Sequence, residues 1–399
     1  MKKLIRFAIR TFVLMIIILI GMLVIFYLMA PIYTFSEPTA FSGDKLYNPY
    51  HKMDSSNWKR YNFQVQSKAW AGITDGRKNS NQLIDSVYNE LGFDYVATSD
   101  YQKINSHGND KPSFIPTYEH GYNIFKTHQV CVGAEQVLWT DLIFFQTTSM
   151  KQWIIDQLDN NCEIVSLAHP LLKHGYTLED MKYLTNYEMM EVLNNMRIST
   201  EHWDVALSSG QVVWIMGNDD AHDVLNSNHV GRKFTVINSL TTDKDDIIKN
   251  LKSGNCYGVD FYPKMDVPLN ERIERIKHTP VVESVYLSGD TLKVTVDQMA
   301  SEIDFIGQNG IIRHTALDTN SAHYIIKEKD TYVRTVFRFP DGSSIYLNPI
   351  IRHTGTSPVS LRNALVNSKA TLGLRIGYFV VILSLVYLYR RRRQQNPNN

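Results

Sequence analysis

Cysteine is scarce in this chain, which has only three among its 399 residues: Cys131, Cys162 and Cys256. Three cysteines cannot build a disulfide framework or a cysteine-rich zinc module. The sequence also lacks a phosphate-cradling glycine loop and the Gly-x-Ser-x-Gly turn of serine hydrolases. Disulfide scaffolds, nucleotide-binding loops and serine-dependent ester hydrolysis therefore have no support in this sequence.

Acidic residues are absent from both ends of the chain. Residues 1–36 contain four basic residues and residues 370–399 contain five, with no acid in either segment. Residues 37–369 are left with 32 Lys+Arg against 40 Asp+Glu, a net charge of −8. A nucleic-acid-binding body normally shows a basic face, so we expect no nucleic-acid partner.

Long apolar runs lie near both ends of the chain. Residues 11–36 are 26 consecutive uncharged residues, which exceeds the ~20 needed to cross a bilayer and is too long for a cleaved signal peptide. Residues 370–389 are a weaker second candidate, for which a buried or amphipathic terminal helix is the alternative. Because the basic clusters lie outside both runs, the positive-inside rule predicts cytoplasmic termini and an extracytoplasmic segment 37–369, anchored in the plasma (inner) membrane.

The segment between the two runs changes character along its length. Strand-like and helical stretches alternate over residues 61–262, which favours an α/β fold with a parallel sheet or barrel. Asp-Gly and Asn-Gly turn signals then join alternating strands over residues 280–355, which predicts a small antiparallel, β-sandwich-like domain. The predicted order is a basic start with the first transmembrane helix (1–36), a linker (37–60), the α/β domain (61–262), a linker (263–279), the β domain (280–355), a linker (356–369), the second transmembrane helix (370–389) and a basic cytoplasmic tail (390–399).

Polar side chains that can bind metals follow several of the predicted strands. Asp100, His169 and the segment Asp219–His222 each close a strand, and Glu119 and His128 lie near another. The carboxyl ends of strands in an α/β barrel converge at one mouth, so these groups can share a site. Such nitrogen and oxygen ligands suit zinc, manganese or iron. The alternative is structural, since a His beside a Pro or an Asp before a helix often serves only the turn.

The order of several short motifs resembles the polymerase and histidinol phosphatase (PHP) superfamily. The motifs are QVQSKAWAGITDG (64–76), GFDYVATSDY (92–101), IPTYEHG (115–121), AHP (168–170) with the following YTLEDM and MEVLN, and GNDDAH (217–222). The resemblance covers about residues 61–262, and the tail domain is similar to the β appendix of extracytoplasmic PHP metallohydrolases, including carbaryl-hydrolase-like members. It implies a PHP-like distorted (β/α)7 barrel, up to three metals at its mouth and phosphoester hydrolysis.

The sequence departs from the PHP pattern at three imidazoles. The family opens with His-x-His, matched here by Gln66 and Lys68, and its second motif ends in Asp-His, matched by Asp100-Tyr101. The resemblance implies that Glu119 and Asp220 remain from the set built on His-x-His. The set of Glu119, His128 and His169 is complete, which implies one metal rather than three. The retained candidate ligands are Asp75, Asp100, Glu119, His128, His169, Asp220 and His222.

Two functions follow from this reduced set. The first is a metal-dependent hydrolase of a small phosphorylated or ester substrate, in which Asp220 or His222 relays a proton and Lys68 stabilises negative charge. Lys68 is alternatively an ion-pair partner of Glu119 or Asp220 that replaces a metal, or a solvated side chain. The second function is an inactive PHP-like binding module in the cell envelope, with one metal or none, and a purely structural envelope protein is a third reading. We expect Trp139, Trp153, Trp203 and Trp214 to pack the core.

Overall fold

Eight α-helices occur in the part of the chain that this computed structural model describes, residues 2–395. Two of them are long and lie at the ends of the chain, whereas the others have between six and 12 residues. The helices are α1 (Lys2–Met29), α2 (Asn81–Glu90), α3 (Thr148–Asp159), α4 (Leu178–Tyr183), α5 (Thr200–Ser208), α6 (Lys244–Lys252), α7 (Leu269–Ile276) and α8 (Ser368–Gln395).

The strands alternate with helices up to about residue 260 and then follow one another directly, so the protein is a mixed α/β structure. They are β1 (Tyr33–Phe35), β2 (Lys45–Tyr47), β3 (Trp58–Val65), β4 (Tyr95–Thr98), β5 (Thr117–His120), β6 (Gln129–Val132), β7 (Ile164–Leu167), β8 (Met189–Asn194), β9 (Trp214–Asn218), β10 (Lys233–Asn238), β11 (Cys256–Asp260), β12 (Val282–Ser288), β13 (Thr291–Gly307), β14 (Ile311–Ile325), β15 (Tyr332–Arg338), β16 (Ser344–Leu347), β17 (Ile350–His353) and β18 (Ala364–Val366).

A five-stranded sheet with the order β5-β6-β7-β8-β9 carries the polar strand ends. Its first two pairings are antiparallel and its last two are parallel. These antiparallel pairings differ from the expected parallel sheet. Strands β5 and β6 form a hairpin, so β6 runs in the opposite direction to both of its neighbours, β5 and β7. Isolated parallel bridges link Tyr101 to Glu119 and Val65 to Ala221. Through these bridges, the ends of β3 and β4 lie beside the two edges of the five-stranded sheet.

A second sheet of 11 strands has the order β12-β13-β15-β16-β11-β10-β3-β4, with β14 on β13, and β17 and β2 at one side. Strand β16 pairs with β11, for example Ile345 with Val259. The strands of residues 280–355 therefore continue the sheet that begins at β3. The segment 37–60, expected as a linker, carries β2, which pairs with β17, and the first residues of β3.

Strand β3 is packed on both faces, which places its end deep in the molecule. Tyr61 and Phe63 belong to the apolar cluster that covers the five-stranded sheet. Val65 belongs to the second cluster, under the 11-stranded sheet. Polar side chains in a strand that is buried on both faces need hydrogen-bond partners or a ligand. The polar residues at the end of β3 are therefore candidates for a functional site.

Local sequence explains the helices near these strands. The Ser80 hydroxyl accepts from Leu83 N at 3.1 Å and starts α2, whose residues Ile84 and Val87 are buried at helical spacing. Thr177 and Asp180 form a reciprocal capping box at the start of α4.

The two terminal helices leave the folded body side by side. Within residues 2–395, the segments Leu4–Met29 and Ser368–Arg392 are long and apolar enough to cross a membrane, and few of their residues are buried. Strand β1 pairs with β18 in an antiparallel two-stranded sheet. Ile32 N also donates to Thr371 Oγ1 at 3.0 Å. These contacts hold the neighbouring ends of α1 and α8 together.

Candidate metal centre

Three of the predicted ligands meet in one buried pocket. One ligand atom from each of Glu119, His128 and His169 lies within 4.8 Å of the others, and all three side chains are buried. Glu119 belongs to β5, His128 directly precedes β6, and His169 follows β7 by two residues. The register of β5, β6 and β7 aligns these positions, because Gln129 pairs with both His120 and Leu167.

The carboxylate of Glu119 is the centre of this cluster. Its Oε1 lies 2.5 Å from His128 Nδ1 and 3.5 Å from His169 Nε2. Its Oε2 accepts from Gln66 Nε2 at 2.6 Å. Two imidazoles and one carboxylate are the donor types that bind zinc and other transition metals. Among the described residues, His169 Nδ1 and Gln66 Oε1 are buried without a hydrogen-bond partner. Unpaired buried polar atoms of this kind are consistent with a pocket that binds a further polar ligand.

The protonation of the three ligands reflects their mutual contacts. Burial acts to raise the pKa of Glu119, but the charges and hydrogen bonds of His128 and His169 outweigh it and lower that pKa. Burial lowers the pKa of His128. Burial acts in the same direction on His169, but its hydrogen bond with Glu119 and the charges of nearby carboxylates outweigh it and raise the pKa to about 9. The pocket therefore favours positive charge beside Glu119.

Asp220 and His222 lie on the neighbouring side of the pocket. Asp220 is buried and has a positive φ of 50° just beyond β9. Its Oδ2 accepts from Asn194 Nδ2 at 3.2 Å. Its Oδ1 is 3.4 Å from His222 Nε2 and has no hydrogen-bond partner within the part of the chain described. An open carboxylate oxygen beside an imidazole can accept a proton or bind a cation.

Glu191 belongs to the same pocket and was not predicted from the sequence. It is fully buried in β8 and accepts from His169 N at 2.8 Å and from Asn218 Nδ2 at 2.8 Å. Burial and the charge of Asp220 raise its pKa to about 8, against the opposing charge of His169. The signal was present in MEVLN, because a glutamate inside a continuous apolar strand is almost never buried without a partner.

The residues that follow β3 differ from the sequence prediction in which side chains are buried in the pocket. Gln66 is buried against Glu119, but Lys68 is exposed and makes no ion pair within residues 2–395. The predicted pairing of Lys68 with Glu119 or Asp220 is therefore wrong. Gln66 N donates a hydrogen bond to Ala221 O, and Ala221 N donates one to Gln64 O. Side chains two residues apart on a strand lie on the same face, so those of Gln64 and Gln66 share one face. Gln64 and Gln66 are both buried on this face, whereas Lys68 is exposed.

Asp100 and Asp75 are not part of the ligand cluster. Asp100 is buried, and its carboxylate accepts from Ser67 N and Ser67 Oγ at 2.8 Å and from Asn105 Nδ2 at 3.0 Å. These donors hold the loops after β3 and β4 together. Asp75 is exposed. Neither carboxylate joins the group of three ligands that lie close enough to share an ion.

Tyr101 fills space between the two histidine-bearing sides of the pocket. Its ring centroid is 5.6 Å from that of His128 and 6.5 Å from that of His222, on which it stacks. Burial raises its pKa well above the ordinary tyrosine value, and the charge of Glu119 adds to this. The phenol is therefore a neutral group at physiological pH.

An aromatic cleft opens beside this pocket. It has a volume of about 420 Å³, and its walls include Trp70, Tyr122, Lys126, His128 and Trp139. Trp139 is more than half exposed, so its predicted role in core packing is wrong. The remaining three tryptophans of that prediction are buried or partly buried. The cleft gives the ligand cluster a route to the surface.

Comparisons with known proteins give one structural similarity. No family model matches the sequence, and no curated protein matches it. A solved two-domain protein from Bacteroides vulgatus, described as containing a predicted PHP-like metal-dependent phosphoesterase, matches 82% of this chain and 99% of its own. The identity is 10% and the TM-score is 0.38.

Proposed function

We propose that this protein is a membrane-anchored, metal-dependent hydrolase of phosphoesters that acts outside the cytoplasm with one metal ion. The observation that carries the proposal is the meeting of Glu119, His128 and His169 within 4.8 Å of one another in a buried pocket. Strand ends that are far apart in sequence supply these groups. Their convergence beside the open oxygen of Asp220 is what a hydrolytic metal site requires.

The PHP-like distorted barrel belongs to this proposal. Seven strands, β3 to β9, form a ring if the Tyr101–Glu119 and Val65–Ala221 bridges are taken as its seams. The seven-strand number agrees with the resemblance of residues 61–262 to the PHP superfamily. The two bridges lie next to Glu119 and Asp220, so the seams of such a barrel would lie at the site itself.

Anchoring and topology are supported by the two terminal helices. Helix α1 and helix α8 are long and apolar enough to span, and basic residues cluster at the chain end of each. The positive-inside rule then gives cytoplasmic termini and an extracytoplasmic body of residues 37–369. The paired strands β1 and β18 would hold this body at the membrane surface.

A bound zinc, manganese or iron ion would acidify water and neutralise charge on a phosphoryl oxygen. The residues of this chain support that chemistry. Gln66 orients the Glu119 carboxylate, and Glu191 fixes the backbone of His169, as outer partners do around metal ligands. The open oxygen of Asp220 accepts the proton of the attacking water.

The hydrolysis balances with the groups in the pocket. The oxygen of water forms a bond to phosphorus while the bond from phosphorus to the alcohol oxygen breaks. His222, 3.4 Å from Asp220, returns a proton to the leaving alcohol. Lys126, whose ammonium lies 5.5 Å from the Tyr101 ring centroid, supplies the cation for the phosphate in place of the exposed Lys68.

The test uses the full chain in lipid nanodiscs supplied with zinc, manganese or iron(II). We expect about one metal per chain and metal-dependent release of nitrophenol from p-nitrophenyl phosphate. Glu119→Gln should lose the metal and lower kcat/KM at least ~100-fold, because a metal supplies several kcal/mol of charge stabilisation. Glu163→Gln is the matched control, since Glu163 pairs with Lys244 at the surface.

A second candidate is a PHP-like binding module without catalysis. It is favoured by Gln66, an amide that stands in the place of an imidazole and bonds to Glu119. A folded wild-type protein that holds no metal and releases no nitrophenol in the same experiment would establish this second function and overturn the first.

A further inference from the structure

A group of exposed apolar side chains lies on the two adjacent loops beside the aromatic cleft. We name it the mouth patch, and its five members are between 48% and 58% exposed: Ile124, Phe125, Trp139, Phe144 and Phe145. Single exposed apolar residues are normal, but a contiguous patch beside a binding cleft usually marks an interaction surface.

The mouth patch is joined to the metal pocket through two adjacent loops. Ile124 N donates to Ile143 O at 2.9 Å, and Tyr122 N donates to Asp141 Oδ2 at 2.6 Å. Tyr122 and Trp139 also line the cleft in which His128 lies. A molecule that rests on the mouth patch is therefore beside the opening of the site.

The mouth patch is equally continuous with the terminal helices. Phe144 N donates to the Tyr27 hydroxyl at 2.9 Å, and the rings of Phe145 and Tyr27 are 5.0 Å apart. A cavity of about 590 Å³ is lined by Phe145, by Tyr27 and its neighbours on α1, and by Tyr378 and its neighbours on α8. Tyr27 is two residues from the end of α1, so it lies about 3 Å below that end. Aromatic residues are typical of this level of a membrane.

The orientation of the body relative to the helices is fixed by short contacts. Directly after α1, Tyr33 N donates to Ser149 Oγ at 3.0 Å, and the Tyr33 hydroxyl donates to Asp156 at 2.6 Å. Strand β1, which contains Tyr33, pairs with β18 before α8. The body is thus held at the ends of both helices, with the mouth patch on the side that they occupy.

We propose that the substrate is a phosphate ester of a membrane lipid. This inference rests on the proposed function and names the source of its substrate. The apolar chains of the lipid lie against the mouth patch, and its phosphate passes Lys126 to reach Glu119, His128 and His169. Continuity of the mouth patch with α1 and α8 selects a lipid of the surrounding bilayer over a soluble ester or a partner protein.

The first test measures where the mouth patch lies, without any catalytic step. The full chain is reconstituted in phosphatidylcholine vesicles with bromine atoms near the head-group end of the acyl chains, which quench nearby tryptophans. We expect quenching in the wild type that Trp139→Phe removes to a large extent. Trp58→Phe is the control, since Trp58 packs on Tyr257 and donates to Val282 O. Equal quenching in Trp139→Phe and wild type would overturn the proposal.

The second test separates the lipid from a soluble source of the same group. Phosphate release is measured from dioleoyl phosphatidic acid in nanodiscs and from glycerol 3-phosphate. We expect kcat/KM at least ~100-fold higher for the lipid. Similar values for the two would overturn the lipid inference while the hydrolase stands. Release from neither, with p-nitrophenyl phosphate still cleaved, also overturns it, whereas loss of all three activities removes the proposed function as well.

A matched pair of surface variants tests the mouth patch itself. The double variant Phe125→Ser, Phe145→Ser should raise KM for the lipid at least ~10-fold, because it removes apolar contact area with the bilayer. The double variant Ile311→Ser, Ile312→Ser should not, since these residues are equally exposed but lie at a remote hairpin. The same KM in both variants would contradict the assignment of the mouth patch.

Discussion

The two sides of the pocket have opposite chemical character. The side formed by β5, β6 and β7 presents Glu119, His128 and His169 as a complete set of ligands. The side formed by β3 and β4 presents Gln64, Gln66 and Tyr101, which are neutral. The comparison teaches that one pocket can combine a ligand-bearing side with a neutral side, because each side is anchored by its own strands.

The neutral side is still polar and not filled with apolar groups. Gln66 keeps a hydrogen bond to Glu119. Gln64 is fully buried, and neither atom of its amide has a hydrogen-bond partner within residues 2–395. Burying an amide without partners costs about 1–3 kcal/mol, so binding of a water molecule or a polar ligand to this amide would be stabilising.

The largest effect is expected on the complete side. His169→Ala should abolish binding of the first metal, with a loss of affinity larger than the ~10–100-fold that follows removal of an outer partner. Zinc binding by competition with a chromophoric chelator measures this. The control is His202→Ala, which removes a buried histidine that contacts Tyr176 O instead of the ligand cluster. Equal affinity of both variants would mean that Glu119 and His128 do not form a site with His169.

Two adjacent aspartates repeat the same contrast on a smaller scale. The carboxylate of Asp219 accepts five hydrogen bonds, from Asn62, Tyr88, Gly231, Arg232 and Lys233. The Oδ1 of its neighbour Asp220 accepts none among the described residues. The first is a structural carboxylate and the second is an open one.

Exchange of each aspartate for asparagine should separate stability from binding. Asp219→Asn turns an amide group toward backbone donors and should lower the free energy of unfolding by about 3 kcal/mol, since each buried unsatisfied donor costs about 1–3 kcal/mol. Asp220→Asn should leave the unfolding midpoint nearly unchanged and reduce hydrolysis. Denaturant unfolding and nitrophenol release measure the two quantities. A larger loss of stability in Asp220→Asn than in Asp219→Asn would contradict this distinction.

The local features of the site could be predicted, but its long-range pairings could not. Glu119, His128 and His169 were found because polar residues at strand ends interrupt apolar runs, and because the motif order resembles a known family. Continuity of the large sheet was not visible, since Tyr257 of β11 pairs with Leu347 of β16, 90 residues further along. Strand pairing at that separation leaves no periodic signal in either segment.

The strand alternation assumed for the first motif ends with β3 at Val65. Lys68 N donates to Asn79 O at 2.8 Å in the loop beyond the strand, so alternation no longer places the Lys68 side chain on the face of Gln66. The sequence resemblance alone matched Gln66 and Lys68. The backbone bonds to Ala221 show that Gln64 and Gln66 share the inner face.

This register gives the smallest but most selective prediction. The double variant Gln64→His, Gln66→His places two imidazoles beside Glu119 and Asp220 and should bind a second metal equivalent. We expect this second site to be weaker than the first, because the neighbouring Tyr101 is a buried, neutral phenol and adds no imidazole ligand. Isothermal titration with zinc in the full chain measures the stoichiometry.

The matched variant Gln66→His, Lys68→His introduces the same number of imidazoles at the two positions that the sequence resemblance indicated. Lys68 is exposed, whereas Gln64 is fully buried on the face of Gln66, so only the first double variant can place two imidazole nitrogens around one ion. A second equivalent in both variants, or only in the one at Lys68, would show that residues after β3 turn inward. The neutral side of the pocket would then be formed by the loop after β3 and not by the end of the strand.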